Sequence, residues 1–187
     1  MTNIFFVRHA QPDERYSDDR TKPLTAQGLK DREAVTAALL KYPADIFISS
    51  PYKRSVDTIA DCAREFNMEI HTDERFRERQ RGKNSNKFLQ RRWDDFTFCE
   101  ADGESLGSVQ TRNIEALKEV LEKYPNKNIV IGTHGTALST ILNYYDSLFG
   151  CEGFKSIWHC MPYILRCDFA GGALISREQL LSIERGY

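Results

Sequence analysis

Asn3-Ile4-Phe5-Phe6-Val7-Arg8-His9-Ala10 is a short β-type run that ends abruptly in a cation and an imidazole. Its four apolar residues, Ile4 to Val7, are too few for a helix and suit a buried strand. The same arrangement recurs twice. Asp45–Ser49 reads as a buried strand that runs into Ser49-Ser50-Pro51 and then Arg54. Asn128–Gly132 reads as a strand that runs into Thr133-His134-Gly135.

Each of these two strands follows a helix-like stretch stopped by Lys-Tyr-Pro, at 41–43 and at 123–125. The first helix is predicted from an N-cap at Thr25 to about Lys41, carrying Leu29, Val35, Ala38, Leu39 and Leu40. The second opens at Gly103-Glu104-Ser105 and runs to about Lys123, with Leu106, Val109, Ile114, Leu117, Val120 and Leu121 at helical spacing. Helix–strand units of this kind predict an α/β protein, a three-layer sandwich with a mostly parallel central sheet flanked by helices. A single domain over residues 1–187 is expected. Asp13–Lys22 reads as a loop, and the tail as two strands, Ser156–Phe169 and Gly172–Ser176, joined at Ala170-Gly171-Gly172. Between them, 75–92 carries Arg75, Arg77, Arg79, Arg81, Lys83, Lys87, Arg91 and Arg92 without clean periodicity. It is expected to pass irregularly over the sheet edge and end in a short helix around Asn86–Asp95.

Composition narrows the function classes. Hydrophobic residues make up 41% and charged residues 28%, ordinary for a globular protein, and the net charge of −1 gives no bulk attraction to nucleic acid or an acidic membrane. Five scattered cysteines without a C-x-x-C pair read as reduced thiols. The apolar run before Arg8 is too short for a signal-peptide core, and no stretch reaches membrane-spanning length, so a cytoplasmic location is expected. No G-x-G-x-x-G or P-loop pattern supports a nucleotide-binding α/β domain. No H-x-H, H-E-x-x-H or clustered carboxylate spacing supports a metal site, and His71 and His159 read as structural or surface residues.

Taken singly, each strand-end motif has an ordinary reading. Arg8-His9 could be a surface pair or a satisfied core histidine; Thr133-His134 could be a helix start capped by Thr133; Ser49–Arg54 could be a helix entry with a cation one turn in. In an open α/β sheet, however, parallel strands share their C-terminal edge, where ligands bind. That topology gathers His9, His134, Arg8 and Arg54 at one place, beside a helix N-terminus that favours anions.

This combination resembles the histidine phosphatase superfamily, also called phosphoglycerate mutase-like, in the branch with R-H-A in place of R-H-G. The resemblance covers most of the chain, through Arg8-His9-Ala10, Leu24-Thr25-x-x-Gly28 and Ser49-Ser50-Pro51-x-x-Arg54-x-x-x-Thr58. It continues through Phe76-x-Glu78-x-x-x-Gly82, Gly103-Glu104-Ser105 and Thr133-His134-Gly135. It implies a metal-independent phosphoric monoester hydrolase of the histidine acid type, without a cofactor. His9 would be the nucleophile that carries the phosphoryl group. Glu78 would be the proton donor and acceptor, with Glu74, Glu100 and Glu104 as near alternatives. Arg8 and Arg54 would grip phosphate oxygens through their guanidinium forks, and His134 would donate to the same phosphate while serving catalysis.

The chain departs from the pattern at Ala10, at Phe76 where Leu is common, and after Gly82, where Lys83-Asn84-Ser85-Asn86 replaces W-E-G. Gln11, Arg79 and Arg81 are expected at the substrate rim. The basic segment has two readings. It is either a rim that attracts a polyanionic phosphoester or a solvated loop balanced by Asp73, Glu74, Asp94 and Asp95, and the first is expected. The substrate would be a small-molecule phosphoester or a phosphoprotein, with no nucleic-acid or membrane partner; a homodimer is left open. The short segment between Gly82 and Gly103 favours hydrolysis over a mutase-type phosphotransferase, and the intact set of five site residues argues against a non-catalytic phosphate-binding pseudo-phosphatase.

Overall fold

The computed structural model describes residues 1–185. In chain order the elements are β1 (Thr2–Arg8), α1 (Ala26–Leu39), β2 (Ile46–Ser49), α2 (Lys53–Glu65) and β3 (Ile70–Thr72), then α3 (Leu89–Asp94) and α4 (Leu106–Lys123). There follow β4 (Asn128–Thr133), α5 (Gly135–Tyr145), α6 (Cys151–Ile157), β5 (Cys160–Ala170) and β6 (Ala173–Glu184). Single 3₁₀ turns at Glu74–Phe76 and Ser85–Phe88 punctuate the basic segment.

The strands form one six-stranded sheet in the order β3-β2-β4-β1-β5-β6. β3, β2, β4 and β1 run parallel to one another, while β5 pairs antiparallel with both β1 and β6. The parallel strands read as continuous apolar runs because both sheet faces are covered. Successive side chains on a strand point to opposite faces, so Ile4 and Phe6 join one core while Phe5 and Val7 join the other. Ile129 and Ile131 divide from Val130 in the same way. Ile114, Leu117 and Val120 of α4 and Leu138 and Ile141 of α5 cover the first face; Val35 and Leu39 of α1 and Ile59 and Cys62 of α2 cover the second.

The helix signals act as local chemistry predicts. Thr25 caps α1 by accepting from the Gly28 amide, and Ser105 caps α4 by accepting from the Ser108 amide. A side chain at Gly28 would drive into the Gln11 carbonyl, 2.5 Å away, which accounts for the glycine of the Leu-Thr-x-x-Gly motif.

Several expectations are corrected. Leu29 and Leu40 are exposed, because α1 turns Gly28, Asp31, Val35 and Leu39 inward instead. Residues 151–157 form a helix, so β5 begins at Cys160 and not at Ser156. β6 extends to Glu184, well beyond Ser176, since it pairs along most of β5. The three-residue strand β3 had no distinct signal of its own. Among the described residues, no helix is long and apolar enough to cross a membrane.

Candidate active site

Register places the site. Arg8 at the end of β1 pairs with Thr133 at the end of β4, while Ser49 at the end of β2 lies beside Gly132 and Thr72. The three motif-bearing strands therefore end level, on one edge. Two backbone bonds stitch the segments beyond them: the His9 amide donates to the Thr133 carbonyl at 3.2 Å, and the Ser50 amide donates to the Gly132 carbonyl at 2.9 Å. Gly132 is needed for this packing, since a side chain there would meet Ser49 Oγ at 2.6 Å. Its small size serves strand contact.

His9 is 5% exposed. Its Nδ1 lies 2.8 Å from the carbonyl of Ala10, and its Nε2 lies 3.2 Å from Arg54 Nε. A carbonyl can only accept and a guanidinium can only donate. These partners assign the proton to Nδ1 and the lone pair to Nε2. Burial holds the His9 imidazole well below its ordinary pKa, and the Arg54 and Arg8 guanidiniums push the same way. Ala10 is absent from the positive-φ residues, so its methyl group is tolerated; its amide donates to Thr58 Oγ1 at 2.9 Å. That bond links the Arg-His-Ala motif to the threonine one turn beyond Arg54.

His134 packs edge-on to His9, with ring centroids 5.2 Å apart, and its Nε2 lies 2.7 Å from Ser50 Oγ. It is wholly buried, and its Nδ1 has no hydrogen-bond partner among the described residues. Burial, then Arg54, keep it neutral by holding its pKa well below the ordinary value. His134, not Thr133, is the N-cap residue of α5. Arg8 sends a guanidinium N–H to the carbonyl of Ile157 and lies against Gly135. Arg54 also binds Asp19 of the 13–22 loop, whose carboxylate lies 3.1 Å from Nη1.

A cavity of about 380 Å³ opens over this floor, lined by Arg8, His9, Arg54, Glu78, Gly135 and Thr136 together with groups from the 13–22 loop and the 75–93 segment. Glu78 is the acidic residue of the predicted motif that reaches it. One carboxylate oxygen accepts from the Arg79 amide at 2.7 Å and the other from the Thr136 amide at 3.1 Å. The alternative glutamates do other work. Glu74 pairs with Arg20, and Glu100 sits in a buried cluster with Arg79 and Arg92. Glu104 binds Arg77 and Arg112. Arg112 of α4 in turn donates to the carbonyls of Arg75, Arg77 and Glu78, tying down the backbone that carries Glu78. Arg112 had no role in the sequence reading, and Glu100 stood there as an alternative proton donor, not as the partner of two arginines. For Glu100 and Glu104, nearness in sequence to a basic run was the available signal.

The expected rim divides. Arg81 is exposed and lines the cavity. Arg79 lines it too, but as a buried side chain committed to Glu100, at 2.8 Å, and to Ser85. Gln11 is not among the lining residues; its amide oxygen accepts from Thr25 Oγ1. Carboxylates meet much of the 75–92 segment. Arg75 is balanced by Asp73 and Glu119, Arg77 by Glu104, Arg79 and Arg92 by Glu100, and Lys83 by Asp102. Arg91 stacks over Phe98, 4.0 Å from the ring centroid. Among the described residues no group of three His, Cys, Asp or Glu is placed to hold a metal ion. Cys99 is exposed, and the other four thiols are buried and unpaired.

Residues 4–156 match the model of the histidine phosphatase superfamily (branch 1). The chain belongs to that superfamily. Phosphoserine phosphatase 1 of Hydrogenobacter thermophilus is 26% identical over 195 residues, spanning 96% of this chain and 88% of its own. An uncharacterized phosphatase, PhoE, of Bacillus subtilis is 26% identical over 149 residues, 76% of each chain. Among solved structures, an Entamoeba histolytica phosphoserine phosphatase bound to 3-phosphoglyceric acid shares the fold with a TM-score of 0.77 at 20% identity, covering 99% of this chain and 98% of that one. A mycobacterial glucosyl-3-phosphoglycerate phosphatase superposes with a TM-score of 0.72 at 17% identity, covering 95% and 96%. The α/β architecture is thus that of the superfamily, and membership with these relatives supports a phosphatase.

Proposed function

We propose that the protein is a phosphoric monoester hydrolase of the histidine acid type that works without metal, through a phosphorylated His9. The observation that carries this reading is the orientation of His9. Its Nδ1 proton is held by the Ala10 carbonyl, and its Nε2 lone pair faces Arg54 at the floor of a cavity that also holds Glu78.

An arriving phosphate group competes with the Asp19 carboxylate for Arg54. Once Arg54 and Arg8 hold phosphate oxygens, the Arg54 N–H that faces Nε2 is redirected to the substrate and the lone pair is freed. Nε2 then attacks phosphorus; an N–P bond forms as the ester P–O bond breaks. The electron pair leaves with the ester oxygen, which takes a proton from Glu78. Water next attacks the phosphohistidine, gives its proton to Glu78 and breaks the N–P bond, releasing phosphate. The charge spread over the transferring oxygens is met by fixed guanidiniums and by His134, so positioning and electrostatics carry the rate.

Wild type and His9→Ala, assayed with a generic aryl phosphate with and without EDTA, test the proposal. Turnover by wild type that EDTA leaves unchanged, and that His9→Ala loses, is expected. Turnover abolished by EDTA, or retained by His9→Ala, would overturn it.

A further inference from the structure

Above its cationic floor the cavity changes character. Leu89 and Trp93 of the α3 region and Phe154 and Trp158, at i and i+4 around α6, line one side. Trp93 and Phe154 have ring centroids 5.8 Å apart, and Phe154 and Trp158 5.0 Å apart. All four side chains are half-buried. The three aromatic residues belong to neither of the two buried cores and line the cavity instead.

The charged groups around this wall are mostly spoken for. Lys22 is bonded to Glu14 and lies near Asp19, and Arg79 and Arg92 share Glu100. Of the outer cations lining the cavity, Arg81 alone has no carboxylate at ion-pair distance among the described residues; it donates to Asn86 at the mouth. A phosphoamino acid needs a carboxylate receptor and an ammonium receptor together. Glu14 already faces Lys22, and Asp19, which an arriving phosphate would displace from Arg54, stays 3.7 Å from Lys22. A volume of about 380 Å³ lies in the range that encloses an organic ligand larger than phosphate alone.

We propose that Trp93, Phe154 and Trp158 form the specificity surface of this site, and that it selects phosphomonoesters whose organic group is flat and apolar. The inference rests on the phosphatase reading for the location of the phosphate group and adds the class of the ester. An aromatic group gains both burial and offset ring contacts on such a wall. A small zwitterionic group gains neither.

Titration calorimetry with phosphonates, whose C–P bond cannot be cleaved, tests this apart from turnover and from leaving-group reactivity. The probes are 1-naphthylmethylphosphonate, L-2-amino-4-phosphonobutyrate and inorganic phosphate. Wild type should bind the naphthyl probe about tenfold more tightly than the amino-acid probe. Trp93→Ala and Phe154→Ser should each weaken the naphthyl probe about fivefold and leave inorganic phosphate unchanged, with Trp93→Leu as the milder variant if alanine unfolds the segment. Equal or reversed preference in wild type, or a wall variant that weakens all three probes alike, overturns the inference. Failure of all three to bind overturns the phosphate-site reading beneath it.

Discussion

Replacing Glu100 with Gln should destabilise the fold far more than a single loop substitution does, because Glu100 is the one carboxylate between two buried guanidiniums. Its side chain is 1% exposed, with Arg79 at 2.8 Å and Arg92 at 3.5 Å. Burial alone would raise its carboxyl; hydrogen bonds from Arg79, from its own backbone and from Ser85 overcome that and hold it at about 2. Against an ordinary value of 4.5, that corresponds to about 2–3 kcal/mol once screening near the cavity mouth is discounted. Gln keeps the shape and leaves Arg79 and Arg92 without a counter-charge, the situation in which a buried pair is costly to break. For a chain of this size the loss lowers Tm by about 4–12 °C. Thermal melts followed by circular dichroism would read it. A folded-state value below the unfolded one means the contribution is complete above pH 4.5 and fades as pH falls toward 2. The gap between wild type and Glu100→Gln should therefore close over that window, and Arg79→Met added to Glu100→Gln should recover part of the loss. A variant melting with wild type at pH 7, or a gap that stays constant down to pH 3, would refute the reasoning.

Two further outcomes follow from the site. Glu78→Gln should slow hydrolysis of alkyl phosphates by about 10²–10⁴-fold and that of an activated aryl phosphate much less in the first step, because only the poor leaving group needs the proton; a leaving-group series read by stopped flow checks it. His9 and His134 are both buried with lowered pKa values, so the unfolded chain takes up protons below pH 6.5 while the folded one does not. Stability should fall by about 1 kcal/mol per histidine between pH 6.5 and 5.5, and urea unfolding of His134→Asn should show a shallower fall than wild type.

The sheet was legible because its three inner parallel strands are apolar on both faces and each ends in a conspicuous polar motif. His9, Arg54 and His134 converge for the same reason, since parallel register brings the strand ends level. What was not legible came from pairings distant in sequence. Glu104 looked like a rival proton donor, and only the fold shows it clamped by Arg77 and by Arg112 of α4. Arg79 looked like a rim cation until Glu100, 21 residues later, was found against it. Alternating arginines in 75–81 resemble an anion-binding strip, but charge runs say nothing about which carboxylates fold back onto them. α6 was hidden because Cys151–Ile157 is short and follows a loop without a strong cap, and with it went the aromatic wall.

The central claim is a covalent bond to His9 Nε2, and it can be seen directly. Glu78→Gln mixed with an activated aryl phosphate and quenched in alkali should hold the intermediate, because the first step survives while activation of water does not. Peptide mass spectrometry should then find one phosphoryl group on His9, labile to acid and absent from the His9→Ala double variant. Aryl phosphate consumed with no phosphoryl group on the protein, or with the group on any residue other than His9, would contradict the account.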